Sequence, residues 1–328
     1  EYSMLKWIPK TAVAFAAICA SAWSQANYAE RPEAAPLLVE AESRGVDGAW
    51  ARDLLAAAER KQSILDAIAR PAEKTKPWHE YRDIFLTQRR VDSGVKFAKA
   101  HQETLAKVAA RTGVPPEMIV AIIGVETFYG RITGNYRVID ALATLAFDYP
   151  KRAPFFRREL VNFLVLASQS GKDPLSLKGS YAGAMGYGQF MPSSYLSYAV
   201  DFDGDGIRDI WDNPDDAIYS VANYFLAHGW QPGAPVVVRA DANTPDEALF
   251  DGQLKPRRTV GELVTAGLAP TEPLYTDLPV TPLRLEGEQG PEYWLGLDNF
   301  YVITRYNHSA MYALAAWQLS EAIARKLD

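Results

Sequence analysis

Glu126 stands at the end of an almost wholly apolar run, Ile119-Val120-Ala121-Ile122-Ile123-Gly124-Val125. Val114-Pro115-Pro116-Glu117-Met118 ahead of it reads as a helix start, because proline suits a first turn whose N–H groups lack partners. A helix apolar on every side is buried, and Gly130 offers a stop one turn later. The spacing therefore predicts one carboxyl at the C-terminal end of a buried helix. Burial and the negative end of the helix dipole both disfavour its charged form. A carboxyl that stays protonated near neutral pH is what a general acid requires; the glutamate of lysozyme, held in an apolar pocket, works in this way. The alternative is a local cap or an ion pair with Arg131 or Arg137.

A second segment, Gly179-Ser180-Tyr181-Ala182-Gly183-Ala184-Met185-Gly186-Tyr187-Gly188-Gln189-Phe190, interleaves glycine with aromatic residues. Its glycines allow close backbone approach, but no Gly-Lys-Ser/Thr follows and the dinucleotide spacing is absent, so it is no phosphate loop. Tyrosine and phenylalanine suit stacking on sugar rings. Ser180 and Gln189 can bond hydroxyl or acetamido groups. A tight turn packed on a core helix is the plainer reading.

Asp201-Phe202-Asp203-Gly204-Asp205-Gly206-Ile207-Arg208-Asp209 follows the D-x-D-x-D-G pattern of a calcium loop. Carboxylates fall at positions 1, 3 and 5, the Ile207 carbonyl at 7 and Asp209 at 9. Position 12 is Asp212, shorter than the usual glutamate, and Asp215 or Asp216 could close a longer loop. Other chemistries are missing. His79, His101, His228 and His308 form no HExxH motif, and no GxSxG elbow occurs. Ser93-Gly94-Val95-Lys96 fits SxxK but lacks its partner motifs and is read as a chance match.

The elements that must hold these residues follow from composition and periodicity. The chain has 328 residues, a formal net charge of −6, 48% hydrophobic residues and one cysteine. Such a chain can bury a large core, cannot be a disulfide scaffold, and lacks the basic footprint of a nucleic-acid binder. Met4, Lys6, Lys10, the apolar stretch 12–23 and Ser24-Gln25-Ala26 fit an export signal cleaved after Ala26, with an uncleaved anchor as the alternative. Cys19 lies inside it behind Ile18, where a lipoprotein signal needs a small residue, so lipid anchoring is not favoured. Residues 34–110 read as helix, with Leu54, Ala58, Leu65 and Ile68 on one face and breaks at Pro71 and Pro77. A shift to Pro, Thr, Val and Asp near Pro232 marks a small strand-containing insertion. Tyr293–Leu295 and Phe300–Ile303 read as strands, and Ser309 as the cap of a last helix.

Taken together, GVETFYGRITGNYRVIDALATLAFDYPKR (124–152), LKGSYAGAMGYGQFMPSSY (177–195), AVDFDGDGIRDIW (199–211), SVANYFLAHGW (220–230) and DNFYVITRYNHS (298–309) resemble the lytic murein transglycosylase B family, glycoside hydrolase family 103. The resemblance runs over roughly residues 78–325. It implies a mainly α (α+β) fold with a lysozyme-like core at 111–231, a helical N-terminal part at 27–110, a small β-containing insertion at 232–300 and a completing C-terminal helix at 301–328. It implies cleavage of the β-1,4 bond between N-acetylmuramic acid (MurNAc) and N-acetylglucosamine (GlcNAc) in peptidoglycan, without water, to 1,6-anhydromuramoyl ends. Glu126 is then the single acid/base. Tyr81, Arg152, Ser180, Gln189, Tyr224, Tyr306, Asn307 and Tyr312 match cleft residues of the family. The resemblance puts Lys151 and Arg152 where the family has basic residues for lactyl or stem-peptide carboxylates, and Phe155 replaces a tyrosine found in some members. The implied structural Ca2+ lies on Asp201, Asp203, Asp205, Ile207 and Asp216. Asp140 is read as a helix N-cap, not as a second acid. The expected setting is the periplasm, with peptidoglycan glycan strands as partner, no nucleic acid, possible wall-remodelling proteins, and a monomer. A lysozyme-like hydrolase and a non-catalytic peptidoglycan-binding module are the rival readings.

Overall fold

The computed structural model describes residues 27–70 and 76–327. The export-signal segment with Cys19 lies outside them, and so does Pro71. Among the described residues the N-terminal part forms α1 (Ala34–Ser43), α2 (Gly48–Ala56), α3 (Gln62–Ala69), α4 (Trp78–Phe85), α5 (Gln88–Ala100) and α6 (Gln102–Thr112). Asp47 and Thr87 cap α2 and α5 through side-chain oxygens that accept N–H groups of the first turn. The face from Leu54 to Ile68 is split over α2 and α3 rather than carried on one helix. Between the two, the Glu59 and Lys61 amides donate to Asp140 and Thr144, side chains of a buried helix, in place of helical carbonyls.

That helix and the one bearing Glu126 make the centre of the molecule. α7 (Pro116–Thr127) begins on proline, as its sequence predicts, and is buried from Met118 to Gly124. β1 (Tyr136–Arg137) leads into α8 (Val138–Asp148), in which every residue from Val138 to Phe147 is buried. α9 (Ala153–Gln169) packs along α8. β2 (Lys178–Gly179) pairs antiparallel with β1, bringing the glycine-rich segment against the start of α8. α10 (Pro192–Tyr198) and α11 (Pro214–Ala227) follow, α11 packing on α6 and α7.

Asp140 is not the N-cap predicted for it. The helix starts at Val138, Arg137 holds the cap position, and Asp140 lies in the first turn, 1% exposed. A buried carboxylate needs a cation, and Arg137 supplies one: its Nε and Nη2 donate to the two carboxylate oxygens, each at 2.8 Å. The Glu59 amide adds a third donor at 2.8 Å.

The insertion is a five-stranded antiparallel sheet in the order β4-β6-β7-β3-β5. Its strands are β3 (Val237–Ala242), β4 (Arg258–Thr259), β5 (Leu268–Pro270), β6 (Pro279–Gly287) and β7 (Gly290–Gly296), with α12 (Val260–Thr265) between β4 and β5. Val238, Val260, Leu263, Leu268, Val280 and Leu295 give it a small core of its own. Tyr293–Leu295 falls in β7 as expected. Phe300–Ile303 does not form a strand; it lies in α13 (Asp298–Tyr306). Four apolar or aromatic residues in a row fit either period. Here Asn299 decides the matter: fully buried, it donates to the Gln231 and Ala234 carbonyls and accepts the Gln231 amide, holding the return of the insertion against its departure. α14 (Ala310–Leu327) closes the fold against α7, its first turn capped by Ser309.

One contact ties the sheet to the cleft. Glu292 on β7 accepts from Arg239 at 2.8 Å and from the indole nitrogens of Trp78 at 3.1 Å and Trp294 at 3.3 Å. Trp78 begins α4, the helix that carries Tyr81. The insertion thereby fixes one wall of the site.

Candidate active site

Glu126 is the penultimate residue of α7. The chain after Thr127 does not fade into a loop: Phe128, Tyr129 and Gly130 all adopt left-handed backbone, with φ of 49°, 61° and 81°. Two non-glycine residues in that region carry strain of roughly 1–3 kcal/mol each. Packing holds them there. The Tyr129 ring folds back over Gly124 of its own helix, where a Cβ would come within 2.6 Å of the ring, and its hydroxyl donates to the Arg90 carbonyl at 2.8 Å. Thr127 adds a second anchor: its hydroxyl donates to the Tyr187 carbonyl at 2.8 Å and accepts the Gly130 amide at 3.0 Å.

The glycine-rich segment meets this helix end. Met185 and Phe190 exchange both backbone hydrogen bonds at 2.9 Å, so Gly186–Gln189 is a four-residue loop closing a tight hairpin. Gln189 is held at φ 52°, and its side-chain amide donates to the Thr133 and Gly186 carbonyls. At Gly188 a Cβ would stand 2.7 Å from the Tyr306 hydroxyl, which donates to the Gly188 carbonyl at 2.5 Å. Only glycine admits that approach. Ser180 Oγ accepts the Ala182 and Ala184 amides.

Tyrosines from three other helices surround Glu126. Tyr312 of α14 donates to Glu126 Oε1 at 2.6 Å. Tyr81 of α4 and Tyr306 of α13 lie close enough for the Glu126 charge to push their hydroxyl pKa values up, on top of their burial. Glu126 keeps partial solvent access, yet the packed protein around it desolvates the carboxyl and raises its pKa from the ordinary 4.5 to about 7. The Tyr312 hydrogen bond pulls the other way and is outweighed. Neither cation weighed as a partner from the sequence reaches it. Arg137 pairs with Asp140, and Arg131 lies over the Phe128 ring at 5.3 Å. The geometry thus provides one carboxyl, half-protonated near neutral pH and oriented by a phenol, set among three tyrosines.

The other sequence-predicted residues divide by place. Tyr224 is buried behind Tyr306, ring centroids 4.8 Å apart, and its hydroxyl is spent on the Arg305 carbonyl at 2.6 Å. It supports Tyr306 rather than facing the cleft. Asn307 is exposed where α13 ends. Arg152 is exposed before α9, its guanidinium over Phe155 at 4.4 Å, and makes no contact with the Glu126 group. Sequence reasoning passed over Thr127 and Tyr129. Their only signal was position, directly after the acid and before the glycine stop.

The acidic loop stands apart from Glu126. Carboxylate oxygens of Asp201, Asp203 and Asp205 lie within 4.8 Å of one another. Amides of Gly204 and Gly206 donate to Asp201, and that of Ile207 to Asp205. Lys172 bridges Asp212 and Asp209, at 2.7 and 2.8 Å. Asp216 lies fully buried beneath the loop, its two oxygens accepting the Phe202 and Asp209 amides, each at 2.8 Å. Three convergent oxygen donors suit a hard cation such as Ca2+.

Among the described residues no single helix is long and apolar enough to cross a membrane. The transglycosylase SLT domain family matches residues 29–321. The chain is 47% identical over 308 residues to the membrane-bound lytic murein transglycosylase B of Escherichia coli K12, covering 91% of this chain and 84% of that protein. It is similar in structure to the catenated lytic transglycosylase SltB1 of Pseudomonas aeruginosa, with a TM-score of 0.87 and 53% identity over 92% of this chain and 100% of the other. The lytic transglycosylase Slt35 of Escherichia coli in complex with calcium matches with a TM-score of 0.84 and 46% identity, over 92% and 95% of the two chains. A domain match that runs from the first described helix to the last, around a carboxyl whose pKa burial raises to about 7, leaves one assignment: the chain belongs to the lytic murein transglycosylase B family.

Proposed function

We propose that this protein cleaves the MurNAc-β-1,4-GlcNAc bond of peptidoglycan by intramolecular transglycosylation, with Glu126 as acid and then base. The observation that carries the reading is the Glu126 pKa of about 7 beside the Tyr312 hydroxyl. The protonated carboxyl gives its proton to the glycosidic oxygen as the C1–O bond breaks, and GlcNAc leaves as an alcohol. The acetamido oxygen of the same muramoyl residue stabilises the cationic C1, so no second protein carboxylate is required; retaining enzymes otherwise use a pair about 5 Å apart. The Glu126 carboxylate then takes the proton of the C6 hydroxyl as that oxygen attacks C1. The new ring is 1,6-anhydromuramoyl, and Glu126 ends protonated as it began. Both partners of the second step belong to one sugar, which gives it a high effective molarity. Tyr81, Tyr306 and Tyr312 line the sugar site, with Ser180 and Gln189 placed for acetamido and hydroxyl groups. Arg152 and Asn307 lie further out along the strand, and Tyr224 backs Tyr306.

Mass spectrometry of digested sacculi tests the reading. Soluble products are expected to carry anhydromuramoyl ends; reducing ends in their place would mean that water is the acceptor and the protein a lysozyme-like hydrolase.

Asp201, Asp203 and Asp205 are read as ligands of a structural Ca2+, with the Ile207 carbonyl completing the loop and Asp216 as the buried acid that closes it. The calcium complex of the Escherichia coli relative supports this, as does the convergence of three carboxylates that repel one another without a cation. EDTA should lower the melting temperature, and added Ca2+ should restore it, by about 4 kcal/mol of linkage at a thousandfold excess over Kd. An unchanged melt would remove the ion from the account. The export-signal reading of residues 4–26 and the murein chemistry both support a periplasmic setting.

A further inference from the structure

Phe128, two residues beyond Glu126, is ringed by cations. The guanidinium carbons of Arg89, Arg90 and Arg131 lie 5.4, 5.1 and 5.3 Å from its ring centroid. Arg90 is clamped between this ring and Phe85, also at 5.1 Å, and its Nε and Nη1 are buried without a hydrogen-bond partner. Among the described residues none of the three arginines forms an ion pair, although acids outnumber bases in the chain by 40 to 34. Arg89 and Arg131 are exposed.

Cation–π contacts account for holding one or two guanidinium groups on a ring. They do not account for three like charges gathered round one side chain, nor for desolvating the middle one unpaired, which is costly. A carboxylate arriving between Arg89 and Arg131 would offset the mutual repulsion of the three cations, since guanidinium presents two parallel N–H donors to it. The cluster also adjoins the reacting centre. Phe85 touches Tyr81, centroids 5.3 Å apart, on the same helix, and Tyr81 is one of the phenols that feel the Glu126 charge. In a glycan strand the sugars are neutral, and the carboxylates sit on the peptide carried by the muramoyl lactyl group.

We infer that Arg89, Arg90 and Arg131 around Phe128 form an anion subsite that binds a stem-peptide carboxylate of the strand being cut. The inference rests on the proposed peptidoglycan activity. Arg90 supplies a fixed charge, while Arg89 and Arg131 make the hydrogen bonds.

The test compares cleavage of glycan strands bearing intact stem peptides with the same strands after their carboxylates have been converted to amides. The wild-type protein should cut the amidated strands about tenfold more slowly, the scale of a lost charge-assisted contact. In R89Q/R131Q the rates on the two substrates should become equal, through a rise in KM on intact strands, while R89K/R131K should keep much of the difference. Both positions are exposed, and an unchanged melting curve establishes that the variants are folded. A double glutamine variant that still discriminates, or a wild type that never does, overturns the subsite while leaving the transglycosylase reading in place. Absence of anhydro products from wild-type protein on either substrate would sink both.

Discussion

Glu126→Gln should lose about 10³-fold or more in the release of anhydromuropeptides, within the range that a positioned acid/base supplies. Glutamine keeps the shape and can still accept the Tyr312 hydrogen bond, so binding of the strand should survive. What it lacks is a proton to give and an oxygen basic enough to take one back. The same variant should be more stable than the wild type at alkaline pH. The Glu126 pKa is raised on folding, from 4.5 to about 7. Its contribution to stability is therefore fully present below pH 4.5 and is lost as pH rises through 7. At about 1.4 kcal/mol for each tenfold shift, the ionised wild type carries a penalty of about 3 kcal/mol at pH 8 that the amide does not. Melts at pH 8 should favour E126Q, and melts at pH 4 should coincide. Residual activity within tenfold of wild type, or a variant less stable at pH 8, would remove Glu126 from its role; the non-catalytic binding module predicts the former.

The second large effect is structural. Asp140→Ala strips the buried bidentate partner from Arg137 and the acceptor from the Glu59 amide. Breaking such a pair by removing one side costs roughly 3–5 kcal/mol, a fall in melting temperature of about 5–10 °C for a chain of this size. Activity should drop as well, because Arg137 lies in β1, whose pairing with β2 sets the segment leading to Ser180. Asp140→Asn, which keeps one acceptor, should lose less. A melt of D140A within about 2 °C of wild type would show that the pair stabilises little.

These two acids mark the limits of what the sequence discloses. Glu126 was legible because its reasons are local: an apolar run before it, a glycine after it, and a dipole whose sign the chain direction fixes. Asp140 was misplaced because its reasons are not. The helix start looks as plausible at Ala141 as at Val138. The deciding partner, the Glu59 amide, comes from a loop 81 residues away. The long helix expected across Leu54–Ile68 failed for the same cause, since Asp140 and Thr144 draw the intervening amides out of helix. The strand expected at Phe300–Ile303 became a helix through Asn299, whose partners lie 65 and 68 residues upstream. The convergence of Asp201, Asp203 and Asp205 was readable, because spacing alone brings those three carboxylates together. The far end of the acidic loop was not, because Asp209, Asp212, Asp215 and Asp216 differ only in what they meet: Lys172 holds the first two, His101 faces Asp215, and Asp216 turns inward. The arginines around Phe128 left no signal, since the ring that gathers them owes its position to a left-handed turn no local rule predicts.

The phenols of this molecule have one more consequence. The hydroxyls of Tyr129, Tyr195, Tyr224 and Tyr306 each donate to a main-chain carbonyl of another segment, at Arg90, Arg208, Arg305 and Gly188. They act as tie-bolts between stretches of chain that disulfides could otherwise cross-link. With one cysteine in the whole sequence, no internal disulfide can form. Folding of this chain accordingly calls for no thiol oxidation and no disulfide shuffling. Its cleft should form as readily under reducing conditions as in an oxidising envelope, and reductants that disable thiol-stapled exported proteins should leave it intact.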